Sequence, residues 1–212
     1  MSDELVFYTH PMSRGRIVRW MLEEVGQPYR TEILEYAASM KSPEYLAINP
    51  MGKVPAIRHG DVVVTECGAI CAYLADAFPE AGLAPPLGDK RRGTYFRWIF
   101  FGAGALEPAI ITTALGFEVP PDRRRMAGWG CMEDVVNALE SAIAGKDYLL
   151  DDRFSAADVY LGSQIGWGMQ FGALEKRPSF ERYYARLQNR PAAIRANEID
   201  NALAPAQPAT AA

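Results

Sequence analysis

The sequence predicts two architectures in one chain: an α/β unit with a mixed four-stranded sheet, followed by an all-helical unit. Three observations carry this. Short β-forming runs at residues 5–8, 28–34, 54–57 and 62–64 all lie early in the chain, and a helical period separates the first two. The stretch Pro79-Glu80-Ala81-Gly82-Leu83-Ala84-Pro85-Pro86-Leu87-Gly88 is dense in Pro and Gly and reads as a linker. Beyond it no strand is visible, and apolar residues recur at helical spacing. The expected division is 1–79, a linker at 80–88, a helical unit at 89–201, and a disordered Ala/Pro-rich tail at 202–212.

Within the first unit, residues 5–8 form a strand that Pro11 ends. Ile17, Met21 and Val25, with Val18 and Leu22 one step round, then mark the buried face of a helix that Gly26 stops. Ser13 is expected at or near its N-cap, where a hydroxyl and unpaired first-turn N–H groups meet at the positive end of the helix dipole. That is a place to hold an anion, although most such serines only cap the backbone. A second strand spans residues 28–34, an irregular polar segment 35–44. A third strand begins with the proline of Val54-Pro55, and a two-residue turn at Gly60-Asp61 joins it to Val62-Val63-Val64 as a hairpin. A helix at 66–78 closes the unit, giving the order β-α-β-β-β-α or, with the hairpin separated, β-α-β then β-β-α.

The helical region begins with a long helix over 89–115, bent near Gly102, Gly104 and Pro108. Another follows Pro120-Pro121-Asp122 as far as Ala144-Gly145. Phe154-Ser155-Ala156-Ala157-Asp158 opens the next with a capping-box pattern. Helices at 179–189 and 192–197 follow Pro178 and Pro191.

Bulk composition narrows the function. The 212 residues are 49% hydrophobic and 23% charged, as in ordinary globular proteins, and the net charge of −4 argues against nucleic acid or an anionic membrane as partner. The dense basic run Arg123-Arg124-Arg125 reads as a solvated helix start. No segment approaches the roughly 18 apolar residues of a membrane span, and no signal peptide is visible, so a cytoplasmic location is expected. Cys67, Cys71 and Cys131 are too few for a disulfide framework. His10 and His59 lack companions at metal-ligand spacing, so no metal is expected.

Four motifs together resemble the cytosolic glutathione S-transferases over nearly the whole chain: Thr9-His10-Pro11-Met12-Ser13, Asn49-Pro50-Met51-Gly52-Lys53-Val54-Pro55, Thr65-Glu66-Cys67-Gly68-Ala69-Ile70, and the capping box. The resemblance implies a thioredoxin-like glutathione-binding domain and an all-helical second domain. It also implies a cis Val54–Pro55 bond presenting Val54 N–H and C=O to the cysteinyl part of glutathione. Glu66 and the residue after it would hold the γ-glutamyl end; here that residue is Cys67 where the family has Ser, so the Cys67 amide is expected to carry the contact. Lys53 is placed for the glycyl carboxylate. Glutathione's thiol, with an ordinary pKa of about 8.5, must be held as thiolate. Ser13 is the first candidate donor, in a turn resembling the phi class, with Thr9 second and Tyr8 third.

The resemblance further implies conjugation to an apolar electrophile, a detoxification chemistry, with Trp98, Phe101, Leu106, Trp167 and Phe171 as candidate walls of the second-substrate pocket. The same site could serve peroxide reduction or isomerisation, and a non-catalytic binding module is a third reading. A homodimer is implied, with Arg91, Arg92 and Tyr95 as candidate interface residues. A dithiol mechanism would need Cys-x-x-Cys, which His10-Pro11-Met12-Ser13 lacks.

Overall fold

The computed structural model describes residues 4–204, which fall into two compact units. One comprises the residues up to Ile70 together with those from Pro191 onward; the other is Cys71–Arg190.

In the first unit, β1 (Leu5–Thr9), α1 (Gly15–Val25), β2 (Arg30–Ile33), α2 (Pro43–Leu46), β3 (Ala56–His59) and β4 (Val62–Thr65) build a mixed sheet of order β2-β1-β3-β4. β1 runs parallel to β2 with Val6 opposite Arg30, and antiparallel to β3 with Phe7 opposite Ile57. The β3–β4 hairpin closes on the pair His59 and Val62 around Gly60-Asp61. α3 (Cys67–Ala77) begins here and crosses the division between the units. The mixed four-stranded sheet expected from the sequence is present, and the short α2 is added to the expected order between β2 and β3.

α1 buries Ile17, Val18, Met21 and Leu22, each contributing roughly 1.5–3 kcal/mol relative to exposure. Gly26 ends it in the left-handed region, φ 71°, its N–H on the Leu22 carbonyl at 3.0 Å. Segment 35–44 is less irregular than expected: a 3₁₀ turn at Ser39–Lys41 precedes α2, whose first residue is Pro43 and whose cap Ser42 accepts from the Tyr45 N–H.

The second unit is helical: α4 (Arg91–Phe101), α5 (Glu107–Ala114), α6 (Met132–Ile143), α7 (Ala156–Gln170) and α8 (Pro178–Gln188). The bend expected near Gly102 and Gly104 is a π-helical segment, Gly102–Leu106, between α4 and α5. Gly102 lies against α7, where a Cβ would meet the Leu161 and Tyr160 side chains at 2.7 and 2.8 Å. The helix expected over 122–144 is instead a 3₁₀ segment at Pro121–Met126 followed by α6, because Gly130, at φ 68°, breaks the run. At the start of α7, Asp158 reaches back to the Ser155 N–H and hydroxyl, each at 2.9 Å.

The last helix, α9 (Pro191–Leu203), belongs to the first unit, packs on α1, and runs six residues past the expected end at 197. From residue 205 the expected disordered tail lies outside the described residues.

Candidate active site

Between β1 and α1 the chain makes a turn through His10, Pro11, Met12 and Ser13. Ser13 lies outside the helix rather than capping it directly: Gly15 is the first helical residue, and the cap position is Arg14, in helical conformation and with no capping bond from its side chain to the first-turn amides. The Ser13 hydroxyl still accepts the Gly15 N–H at 2.9 Å, and donates to the His10 carbonyl at 2.6 Å. It is half-buried. Serine does this readily because its short hydroxyl can bond its own backbone two residues on.

The turn is held by side chains from several elements. His10 Nδ1 accepts the Met12 N–H at 3.1 Å, which places the ring proton on Nε2, 3.7 Å from the Glu35 carboxylate. Arg16 Nε donates to the Pro11 carbonyl at 2.7 Å, and the Tyr36 hydroxyl to the Met12 carbonyl at 3.1 Å. Sequence reasoning missed Arg16 and Tyr36; nothing in their local pattern marks a bond to a turn carbonyl.

The two alternative hydroxyls sit differently. Thr9 is fully buried, its Oγ1 3.5 Å from the His10 carbonyl. Tyr8 is half-buried against the Met40, Tyr45 and Ala56 cluster, its ring 5.7 Å from that of Tyr45.

The Val54–Pro55 peptide is cis. The turn before it is organised by Asn49, which donates from Nδ2 to the Lys53 carbonyl at 2.8 Å and accepts the Met51 N–H at 3.1 Å. The Tyr45 hydroxyl shares the Lys53 carbonyl at 2.6 Å, and burial pushes that phenol up to about 12. Gly52 has φ 56° and sits where a Cβ would meet the Met40 carbonyl at 2.6 Å, so only glycine fits. Asn49 was readable as a turn residue in the sequence; its buried role was not. The Lys53 side chain is exposed and has no carboxylate partner among the described residues.

At the start of α3, Glu66 is exposed and adopts φ 68°, a left-handed conformation rare for a residue with a side chain. Its carbonyl accepts the Ile70 N–H, so the first-turn amides from Cys67 onward point out of the helix end. The Cys67 thiol contacts the Arg14 carbonyl at 3.7 Å. The fold thus brings the helix end of Glu66 and Cys67 beside the Ser13 turn.

The sequence matches the glutathione S-transferase N-terminal domain over residues 12–77 and the glutathione S-transferase C-terminal domain over 128–191. The chain belongs to the glutathione S-transferase family. Glutathione S-transferase GST-4.5 of Xanthomonas campestris is 26% identical over 177 residues, 81% of this chain and 84% of that protein. A glutathione transferase crystal structure from Methylococcus capsulatus superposes with a TM-score of 0.76 at 28% identity, covering 93% of this chain and 99% of the other. The URE2P6 transferase of Phanerochaete chrysosporium, in complex with oxidized glutathione, gives 0.79 at 25% identity, covering 96% and 99%.

The residues expected to wall a second-substrate pocket lie in the helical unit of this transferase-family chain. Trp98 is buried with its ring 5.3 Å from that of Phe101, and it lines a cavity of about 310 Å³ with Arg91, Thr94, Arg97 and Leu149. Leu106 is fully buried, Trp167 is half-buried, and Phe171 is exposed at the end of α7. Of the expected interface residues, Tyr95 is fully buried and unable to meet another chain, while Arg92 is paired with Asp76 at 2.8 Å and Arg91 with Asp89 at 2.6 Å.

Proposed function

We propose that this chain is a glutathione transferase in which the Ser13 turn stabilises the thiolate of glutathione for attack on an apolar electrophile. The observation that carries the reading is the meeting of three features in one unit: the half-buried Ser13 hydroxyl, the strained Glu66 at the mouth of α3, and the Val54–Pro55 edge. Glutathione is an extended tripeptide with two carboxylates, an ammonium and a thiol, and these features offer it a matching set. Glu66 answers the ammonium, the α3 amides the γ-glutamyl carboxylate, Val54 the cysteinyl backbone and Lys53 the glycyl carboxylate.

Lowering the thiol pKa by about two units needs roughly 2.7 kcal/mol of preferential thiolate stabilisation. A hydroxyl has one proton, so Ser13 would turn it from the His10 carbonyl to the thiolate. Thr9 Oγ1 already faces the same carbonyl and would keep it from being stranded. The sulfur then attacks the electrophilic carbon, the leaving group departs with the bonding pair, and the main catalytic terms are thiolate population and positioning. The proposed location is the cytoplasm. The proposed assembly is a homodimer, supported by the exposed Phe100, Leu115, Phe117 and Met126 of the helical unit.

Absorbance titration of bound glutathione's thiolate, in wild type and Ser13→Ala, tests the reading. A wild-type pKa well below 8.5 that returns toward the free value in the variant supports it. A depressed value indifferent to the substitution moves the role to Thr9, Tyr8 or the backbone. Cys67, a weak donor where the family has Ser, favours one second reading, a glutathione-fold binding module; glutathione binding without thiol depression would establish it.

A further inference from the structure

Three consecutive carbonyls of the turn are each held by a different side chain: His10 by Ser13, Pro11 by Arg16 and Met12 by Tyr36. The middle one leads out to the C-terminal helix. While Arg16 Nε is on the Pro11 carbonyl at 2.7 Å, its Nη2 donates to Asn201 Oδ1 at 2.8 Å. Asn201 lies in the last turn of α9, 185 residues away in sequence. α9 is itself fixed to α1 by the neighbouring residue, Asp200, whose carboxylate meets Arg19 at 3.1 Å with both side chains buried.

A guanidinium is planar, so its donors move as one body. Engaging Nη2 at one end sets where Nε points at the other. Without Asn201, the half-buried Arg16 would keep one bond and regain rotamer freedom, and the Pro11 carbonyl would lose a fixed partner. Ser13 follows Pro11 by two residues, and displacements well under 1 Å at a reacting group change rates.

We propose that Asn201 is a positioning residue for the thiol-activating turn, acting through Arg16, so that the C-terminal helix is a working part of the glutathione site. This rests on the assignment of Ser13 above. Asn201 is exposed and touches none of the proposed glutathione contacts, so its loss leaves the machinery itself in place.

The test uses the full chain with Asn201→Ala and Asn201→Asp, the second of which keeps the acceptor. Amide hydrogen exchange of the ligand-free protein reads the turn; thiolate absorbance of bound glutathione reads its consequence. Asn201→Ala should speed exchange across residues 12–16 by about three- to tenfold, leave α7 and the melting temperature at wild-type values, and raise the bound thiol pKa by about half a unit. Asn201→Asp should restore both. Unchanged exchange and unchanged thiol pKa in Asn201→Ala would overturn the proposal. So would a uniform rise in exchange over the whole first unit, which marks ordinary destabilisation. Faster exchange of the turn alone, in a protein whose wild type never depresses the thiol pKa, would uphold the Arg16 bridge and overturn the Ser13 assignment instead.

Discussion

The Arg19 guanidinium meets the Asp200 carboxylate at 3.1 Å, with both side chains almost wholly buried between α1 and α9. Arg19 also donates to the Tyr29 and Thr31 hydroxyls and lies over the Phe7 ring at 5.0 Å, yet its Nη2 finds no hydrogen-bond partner. Burial pushes the Asp200 carboxyl up despite the cation beside it. The pair therefore fixes where α9 docks more than it adds stability. Asp200→Ala, which strands a buried guanidinium, should cost about 3–5 kcal/mol. The apolar double substitution Arg19→Met with Asp200→Leu should recover most of that. Urea denaturation of the three proteins checks it: equal loss in the single and double variants would contradict the account.

Gly15 opens α1 with its Cα against Thr9, so that a Cβ there would overlap Thr9 Oγ1 and come within 3.0 Å of Ser13 Oγ. Thr9 is fully buried and cannot move aside cheaply. Gly15→Ala should cost about 1–3 kcal/mol despite alanine's better helix propensity. In a Thr9→Ala background most of that cost should vanish. A double-mutant cycle by thermal or urea unfolding measures the coupling; additive effects would mean that the close approach is not what selects glycine.

Asp158 is fully buried and accepts from the Leu149 N–H at 2.8 Å and the Tyr183 hydroxyl at 2.7 Å besides its bonds from Ser155. Burial nevertheless outweighs these bonds and moves its carboxyl from 3.8 up to about 6. A carboxyl raised by folding holds its proton longer in the folded chain. Its stabilising contribution is complete below about pH 4 and is lost as pH rises through about 6. Unfolding free energy measured across that window should fall with rising pH, and Asp158→Asn should remove that slope. Asp158→Ala, which strands four buried donors, should cost about 2–4 kcal/mol at any pH in the range.

What could be read from the sequence was local. The period of Ile17, Met21 and Val25, the αL stop at Gly26, the Gly60-Asp61 hairpin and the acid at the fourth position of the capping box each act within a few residues, and each is present. What could not be read was tertiary. The helix over 192–197 extends to Leu203, and its added turns carry Asp200 and Asn201, whose partners Arg19 and Arg16 are far away in sequence. Ser13, expected at or near the cap, is the residue just before it, and its hydroxyl accepts the Gly15 N–H from there. The site followed the same rule: motifs named Ser13, Val54 and Glu66, while Tyr36, Tyr45 and Arg16 support them through carbonyls that have no sequence signature.

Glu66 separates stability from binding. Its φ of 68° suits glycine, and an L side chain there costs about 1–3 kcal/mol. The neighbouring fold gives no packing return, because the side chain is exposed. Glu66→Gly should relieve the backbone but add freedom to the unfolded chain, leaving a net gain between zero and about 1 kcal/mol. Glu66→Ala keeps the strain and should be close to neutral. If the carboxylate holds glutathione's ammonium, both variants lose a charge-assisted bond and should bind glutathione about ten- to a hundredfold more weakly. Paired calorimetric titration and urea unfolding read the two quantities separately. A Glu66→Gly protein that gains stability and keeps full affinity would show that the strained residue serves the start of α3 and not the ligand; one that gains stability and loses affinity would tie the strain to glutathione.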